Sequence, residues 1–126
     1  MLKHRVKSFH YAIQGIVTGL KDQPNIKIHG FLGLIVIGLG AYFQITSFEW
    51  MILILTIGLV LSLEFINTAI EEIVDSFVEG IHPSAKKAKD VSAAAVLIAS
   101  ITALAVGLII FGQYFVNQFI LTFGIE

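Results

Sequence analysis

The chain has 126 residues, of which 56% are hydrophobic and 13% are charged, and its formal net charge is −1. With a mean hydropathy of +0.88, it lies outside the range of soluble globular domains and is typical of a membrane protein. Because there is no cysteine, disulfides and thiolate metal sites are excluded. The balanced charge gives no sign of nucleic-acid binding.

The first segment, about residues 1–21, has an amphipathic pattern. Its apolar residues recur at alternating steps of four and three, which indicates one face of a helix. These residues are Leu2, Val6, Phe9, Ile13, Ile16 and Leu20. The helix is too polar to span a bilayer, so its apolar face either lies in the membrane interface or packs on the rest of the protein. Pro24 is expected to break the helix at Gln23.

Three apolar stretches follow, at about residues 28–45, 50–70 and 91–121, within transmembrane helices expected at about 28–45, 50–75 and 86–121. Each has close to the ~20 residues needed to cross about 30 Å of hydrocarbon. The sequence therefore predicts an all-α membrane protein, with one amphipathic surface helix and three transmembrane helices in a single domain over residues 1–126.

The basic residues are confined to two places. Five precede or border the first span, and the other three lie between the second and third spans; they are Lys3, Arg5, Lys7, Lys21, Lys27, Lys86, Lys87 and Lys89. By the positive-inside rule, the N-terminus and the second connection are cytoplasmic, in a multi-pass protein of the cytoplasmic membrane.

Polar residues interrupt the end of the second span. Glu64, Asn67, Glu71 and Asp75 follow one another at steps of three, four and four, so they share one stripe of a helix. Glu64 lies about 21 Å from Trp50 along the axis, inside the membrane, whereas Glu71 lies about 10 Å further on, near water. The small residues at 92–95 can pack against this stripe.

This stripe suggests phosphoryl transfer from ATP to a lipid alcohol. A carboxylate at the depth of Glu64 can accept a proton from a lipid hydroxyl. Nearer water, Glu71 can bind Mg²⁺, with Glu72, Asp75 or Asp22 as helpers, and Lys89 can neutralise phosphate. Two other interpretations stay open. The polar groups can be structural hydrogen-bonding or ion-pairing residues, or the protein can be a non-catalytic bundle that conducts ions or protons or binds a partner.

The stripe also carries a family signature. Residues 64–75 read EFINTAIEEIVD, and residues 88–94 read AKDVSAA. In these blocks, and over nearly its whole length, the chain resembles the small bacterial integral-membrane diacylglycerol kinases, which include undecaprenol kinases. The resemblance implies a homotrimer with sites shared between subunits, which uses Mg-ATP to phosphorylate a membrane lipid. It does not choose between undecaprenol and diacylglycerol.

The resemblance also implies roles for individual residues. Glu64 is the catalytic base, Asn67 is its supporting polar neighbour and Glu71 binds the metal. The residues expected to contact ATP are Tyr11, Gly80, His82, Lys89 and Asp90. One position departs from the family pattern, since Gln23 stands where the family has a second metal-binding glutamate. Its neutral amide can offer one oxygen to Mg²⁺ but contributes no charge.

Overall fold

The computed structural model describes residues 2–80 and 82–124, with the backbone alone for residues 2–6. Four α-helices follow one another: α1 (Leu2–Asp22), α2 (Pro24–Phe43), α3 (Ser47–Phe77) and α4 (Pro83–Phe123). Three of them, α2, α3 and α4, are long and apolar enough to cross a membrane. The predicted all-α class, one amphipathic helix followed by three apolar helices, is therefore confirmed.

The chain breaks between α1 and α2 where proline predicts it. Gln23 has extended backbone angles (φ −106°, ψ 111°), and Pro24 occupies the first turn of α2. Proline fits this position because its missing N–H would have no partner within the helix. As a result α2 begins at Pro24, before the predicted start of the span near residue 28.

A hydrogen-bonded turn joins α2 to α3. Gln44 closes α2 in the left-handed conformation at φ 51°. Thr46 and Glu49 then form a capping box at the start of α3. The Glu49 carboxylate also accepts hydrogen bonds from the Tyr114 hydroxyl at 2.8 Å and the Gln113 amide at 3.0 Å. These bonds tie the start of α3 to the end of α4, at what is here called the far end of the bundle.

The opposite end contains residues 78–80, His82 and the lysines at 86, 87 and 89, and is called the basic end. His82 is the N-cap residue of α4 and Pro83 lies in its first turn, as the proline predicts. Gly80 has φ +73°, a conformation that favours glycine. Between the two ends, α3 and α4 pack against each other as antiparallel neighbours. A buried apolar cluster near the far end holds them together: Ile45, Leu53, Ile110 and Phe111.

The apolar face of α1 remains largely uncovered. Phe9 is 70% exposed, and Ile13, Ile16 and Leu20 are also exposed; Leu2 and Val6 lie outside the residues whose side chains are described. Gly19 is buried, at a point where an added Cβ would meet the Phe65 ring of α3. The exposed face favours the surface interpretation of α1 over packing along its length.

Candidate active site

Glu64 is a buried carboxylate on α3. The residue is 2% exposed, although the other faces of α3 are largely exposed. The Nε2 atom of His29, on α2, lies 4.0 Å from Glu64 Oε2. A buried carboxylate is costly unless a polar or charged group compensates it. The predicted base therefore lies where two spanning helices meet, with an ionisable imidazole beside it.

A hydrogen-bonded chain of side chains continues from Asn67 along the same stripe. Asn67 is buried and donates its amide Nδ2 to Glu71 Oε1 at 3.2 Å. In turn, the Ser92 hydroxyl of α4 donates to Asn67 Oδ1 at 2.7 Å. Ser92 was not among the predicted site residues; its place in the small-residue patch at 92–95 was the signal that it faces this stripe.

The stripe ends in an ion pair between helices. The Lys89 ammonium on α4 lies 2.8 Å from Asp75 Oδ1 and 3.0 Å from Oδ2. One turn of α4 also carries an ion pair between Lys86 and Asp90. The Asp75 carboxylate, a suggested helper for the metal, is thus paired with the lysine expected to bind phosphate.

A cavity of about 330 Å³ opens at the basic end, beside this ion pair. Four of the five residues expected to contact ATP line it: Gly80, His82, Lys89 and Asp90. The fifth, Tyr11, lies on α1, is 65% exposed and does not line this cavity. These residues line one concave surface, here called the basic cavity after the end of the bundle at which it opens. Its two lysines are paired with two aspartates, Lys86 with Asp90 and Lys89 with Asp75, and a lysine that leaves its aspartate can bind an anion.

Two helices carry the carboxylates that could hold Mg²⁺. Glu71, Glu72 and Asp75 lie on α3, and Asp22 is the last residue of α1. Glu71 is half-buried and accepts the amide of Asn67. Gln23 does not pair with Glu71; its Nε2 donates to Glu72 Oε1 at 3.5 Å. Over residues 7–80 and 82–124, whose side chains are described, no group of three histidine, aspartate or glutamate side chains is arranged to hold a metal. Mg²⁺ commonly takes one or two carboxylates plus nucleotide phosphates and water, so these residues fit a metal bound together with ATP.

A second, apolar cavity of about 420 Å³ lies between α2, α3 and α4. His29 and Leu61 line it near Glu64, and Phe111 and Phe115 line it towards the far end. Its volume falls in the range typical of ligand pockets. An apolar cavity with the buried carboxylate and its histidine near one end can accept a hydrocarbon chain that carries a polar head.

Comparison with known proteins identifies the family that the chain resembles. Residues 10–111 match the family model for prokaryotic diacylglycerol kinase. An undecaprenol kinase of Bacillus subtilis is 39% identical over 105 residues, which cover 83% of this chain and 85% of the relative. A diacylglycerol kinase of Synechocystis is 42% identical over 101 residues, which cover 79% of this chain and 58% of the relative. One from Haemophilus influenzae is 33% identical over 98 residues, with coverage of 78% and 83%.

The matched segment includes α3 and the first part of α4, and so contains both the polar stripe and the basic cavity. The chain belongs to the prokaryotic diacylglycerol kinase family and is a membrane-embedded lipid kinase.

Proposed function

We propose that this family member transfers the γ-phosphoryl group of ATP to the hydroxyl group of undecaprenol or diacylglycerol at the cytoplasmic face of the membrane. The observation that carries the proposal is the position of Glu64. Its buried carboxylate lies beside His29, which lines the apolar cavity, and on the same helix as residues that line the basic cavity. The two cavities offer separate places for the apolar and the anionic substrate.

Glu64 acts as the general base in this proposal. The lipid hydroxyl oxygen forms a bond to the γ-phosphorus, and the hydroxyl proton passes to the Glu64 carboxylate. The bond between the γ-phosphorus and its bridging oxygen breaks, and ADP leaves with that oxygen. Burial supports this role because it excludes water, which would otherwise compete with the lipid as phosphoryl acceptor.

Asn67 and Glu71 support the base and bind the metal, respectively. The amide of Asn67 holds one oxygen of Glu71, which leaves the second oxygen for a metal ion. When bound with ATP, Mg²⁺ would neutralise phosphate charge as the phosphoryl group transfers. The fit is supported by the donor set, a carboxylate near water with an amide beside it. Gln23, next to Glu72, is the proposed position of the second ligand.

The basic cavity holds the nucleotide in this proposal. Lys89 exchanges its Asp75 partner for a phosphate oxygen, since both acceptors are anionic oxygens at similar reach. Gly80, His82 and Asp90 line the same surface and contact the remaining groups of ATP. Tyr11 lies outside the cavity of its own chain, so in this proposal it contacts the nucleotide of a neighbouring subunit, in a homotrimer with shared sites.

The proposed orientation places the basic end and the N-terminus in the cytoplasm, where ATP is available. It is supported by the confinement of lysine and arginine to the N-terminal segment and the connection between α3 and α4.

A direct assay tests the proposal. Purified protein in mixed micelles is given radiolabelled Mg-ATP and, side by side, undecaprenol or diacylglycerol. We expect phosphate on one of the two lipids, and a loss of at least about 100-fold for Glu64→Gln because the general base is removed. Glu79→Gln is the matched control and should keep the wild-type rate, since Glu79 is an exposed carboxylate that follows α3 and lines neither cavity.

The assay also separates the alternative activity. No labelled product with either lipid would overturn the proposal. A proton or ion flux in vesicles that needs no ATP and is lost in Glu64→Gln would assign the buried carboxylate to conduction instead.

A further inference from the structure

His29 is the basic side chain that lies closest to the proposed base. Its Nε2 is 4.0 Å from Glu64 Oε2, with the two side chains 23% and 3% exposed, respectively. His29 also lines the apolar cavity. One imidazole thus borders both the carboxylate and the space that a lipid chain can enter.

The other charged groups near Glu64 are either exposed or bonded to another side chain. On α2, Lys27 is exposed. On α3, Glu71 lies about 10 Å further along the axis and is bonded to Asn67. On α4, Lys89 is paired with Asp75. On α1, the close approach to this region is made by Gly19, which has no side chain, against Phe65. Among the described residues, His29 is therefore the basic group within ion-pair distance of Glu64.

We propose that His29 is a positioning residue that holds the Glu64 carboxylate towards the apolar cavity while substrate covers it. This inference rests on the proposed function of Glu64 as the base. A lipid that fills the cavity removes water from the carboxylate, and a buried carboxylate without a partner is costly. The imidazole provides a hydrogen-bond donor, and when protonated a positive charge, on the cavity side, so the carboxylate keeps its orientation and its capacity to accept a proton.

Three variants at this position separate packing from positioning. His29→Leu keeps the bulk and loses the donor, His29→Gln keeps a donor without charge, and His29→Lys keeps a donor and a charge. We expect kcat to fall about 10- to 100-fold in His29→Leu, because a displaced base meets the hydroxyl poorly, with KM for ATP unchanged. His29→Gln should recover part of the rate, and His29→Lys more of it. Lys27→Gln, an exposed charge on the same helix, is the control and should keep the wild-type kcat.

Rescue by the donor-bearing variants is the readout that packing alone does not move. Glutamine and lysine both differ from histidine in shape, so a merely structural role predicts that His29→Gln and His29→Lys lose as much rate as His29→Leu. Equal rates in the three variants, or full activity in His29→Leu, would overturn the inference.

A thermal measurement tests the pairing without enzymatic activity. Midpoints of unfolding in detergent are compared for the wild type, His29→Leu, Glu64→Gln and the double variant. If the two side chains interact, Glu64→Gln should change the midpoint by one amount in the wild type and by a different amount in His29→Leu. Additive changes in an active enzyme would reject the role of His29 and leave the kinase proposal standing. Coupling in a protein with no kinase activity would reject the kinase proposal and leave only the pairing of the two side chains.

Discussion

The Ser92 hydroxyl donates a hydrogen bond to Asn67 Oδ1 at 2.7 Å, across the contact between α4 and α3. Because the oxygen of the Asn67 amide is occupied by Ser92, its nitrogen faces Glu71. The packing of two helices thus sets the orientation of a carboxylate on one of them. This relationship connects the stability of the bundle to the geometry of the proposed metal site.

Ser92→Ala should therefore weaken both the stability of the bundle and the binding of Mg²⁺. The substitution leaves the buried Asn67 oxygen without this donor, which costs about 1–3 kcal/mol in the free energy of unfolding. It also frees the amide to rotate away from Glu71, so the Mg²⁺ concentration for half-maximal rate should rise. Thermal unfolding in detergent and Mg²⁺ titration of the kinase rate measure the two effects.

Ser100→Ala is the matched control on the same helix. The Ser100 hydroxyl is buried and has no hydrogen-bond partner among the described residues, so its removal should cost less than that of Ser92. Equal melting temperatures for the two variants would contradict a stabilising role for the Ser92 bond.

Gln23→Glu tests the departure from the family pattern. Gln23 donates to Glu72, so a glutamate there would place two carboxylates side by side, which repel unless a cation lies between them. We expect lower thermal stability without Mg²⁺, recovery when Mg²⁺ is added, and a fall of about tenfold in the Mg²⁺ needed for half-maximal rate.

The double variant Gln23→Glu with Glu72→Gln is the control for repulsion. It exchanges donor and acceptor, so the stability without Mg²⁺ should return to that of the wild type. If the Mg²⁺ requirement of Gln23→Glu equals that of the wild type, residue 23 is not a metal position.

Lys89→Gln tests the proposed exchange of Asp75 for ATP phosphate. The loss of a charge-assisted contact should raise KM for ATP about tenfold or more, while binding of the lipid is unaffected. Lys87→Gln removes an exposed lysine that does not line the basic cavity and should leave KM unchanged. Steady-state kinetics over a range of ATP concentrations distinguish the two. An equal KM in both variants would place the phosphate elsewhere.

The sequence was most informative about features that one helix determines. Of the contacts between helices, it indicated only that the small residues at 92–95 can pack against the stripe. Helical periodicity placed Glu64 and Asn67 on one stripe, and proline marked the break at Gln23. The neighbours of these residues could not be predicted in the same way, because the rotation of α2 and α4 about their axes is set by packing along their whole length. His29 next to Glu64 and Lys89 next to Asp75 both depend on that rotation, and only the fold brings them together.

Gly19→Ala tests whether the contact of α1 with α3 serves the site. A Cβ at Gly19 would meet the ring of Phe65, which follows Glu64, and Ile26 Cδ1 at 2.9 Å. The two helices must separate or the Phe65 ring must turn, so Tyr11, on the same helix, should bind ATP less well. We expect a higher KM for ATP and faster trypsin cleavage at Lys21.

Gly15→Ala is the control, since a Cβ there has no atom within 4 Å among those described, and alanine favours a helix over glycine by about 1 kcal/mol. Its KM should match the wild type and its cleavage should be no faster. Indistinguishable KM values and cleavage rates for the two variants would show that α1 does not need this close contact.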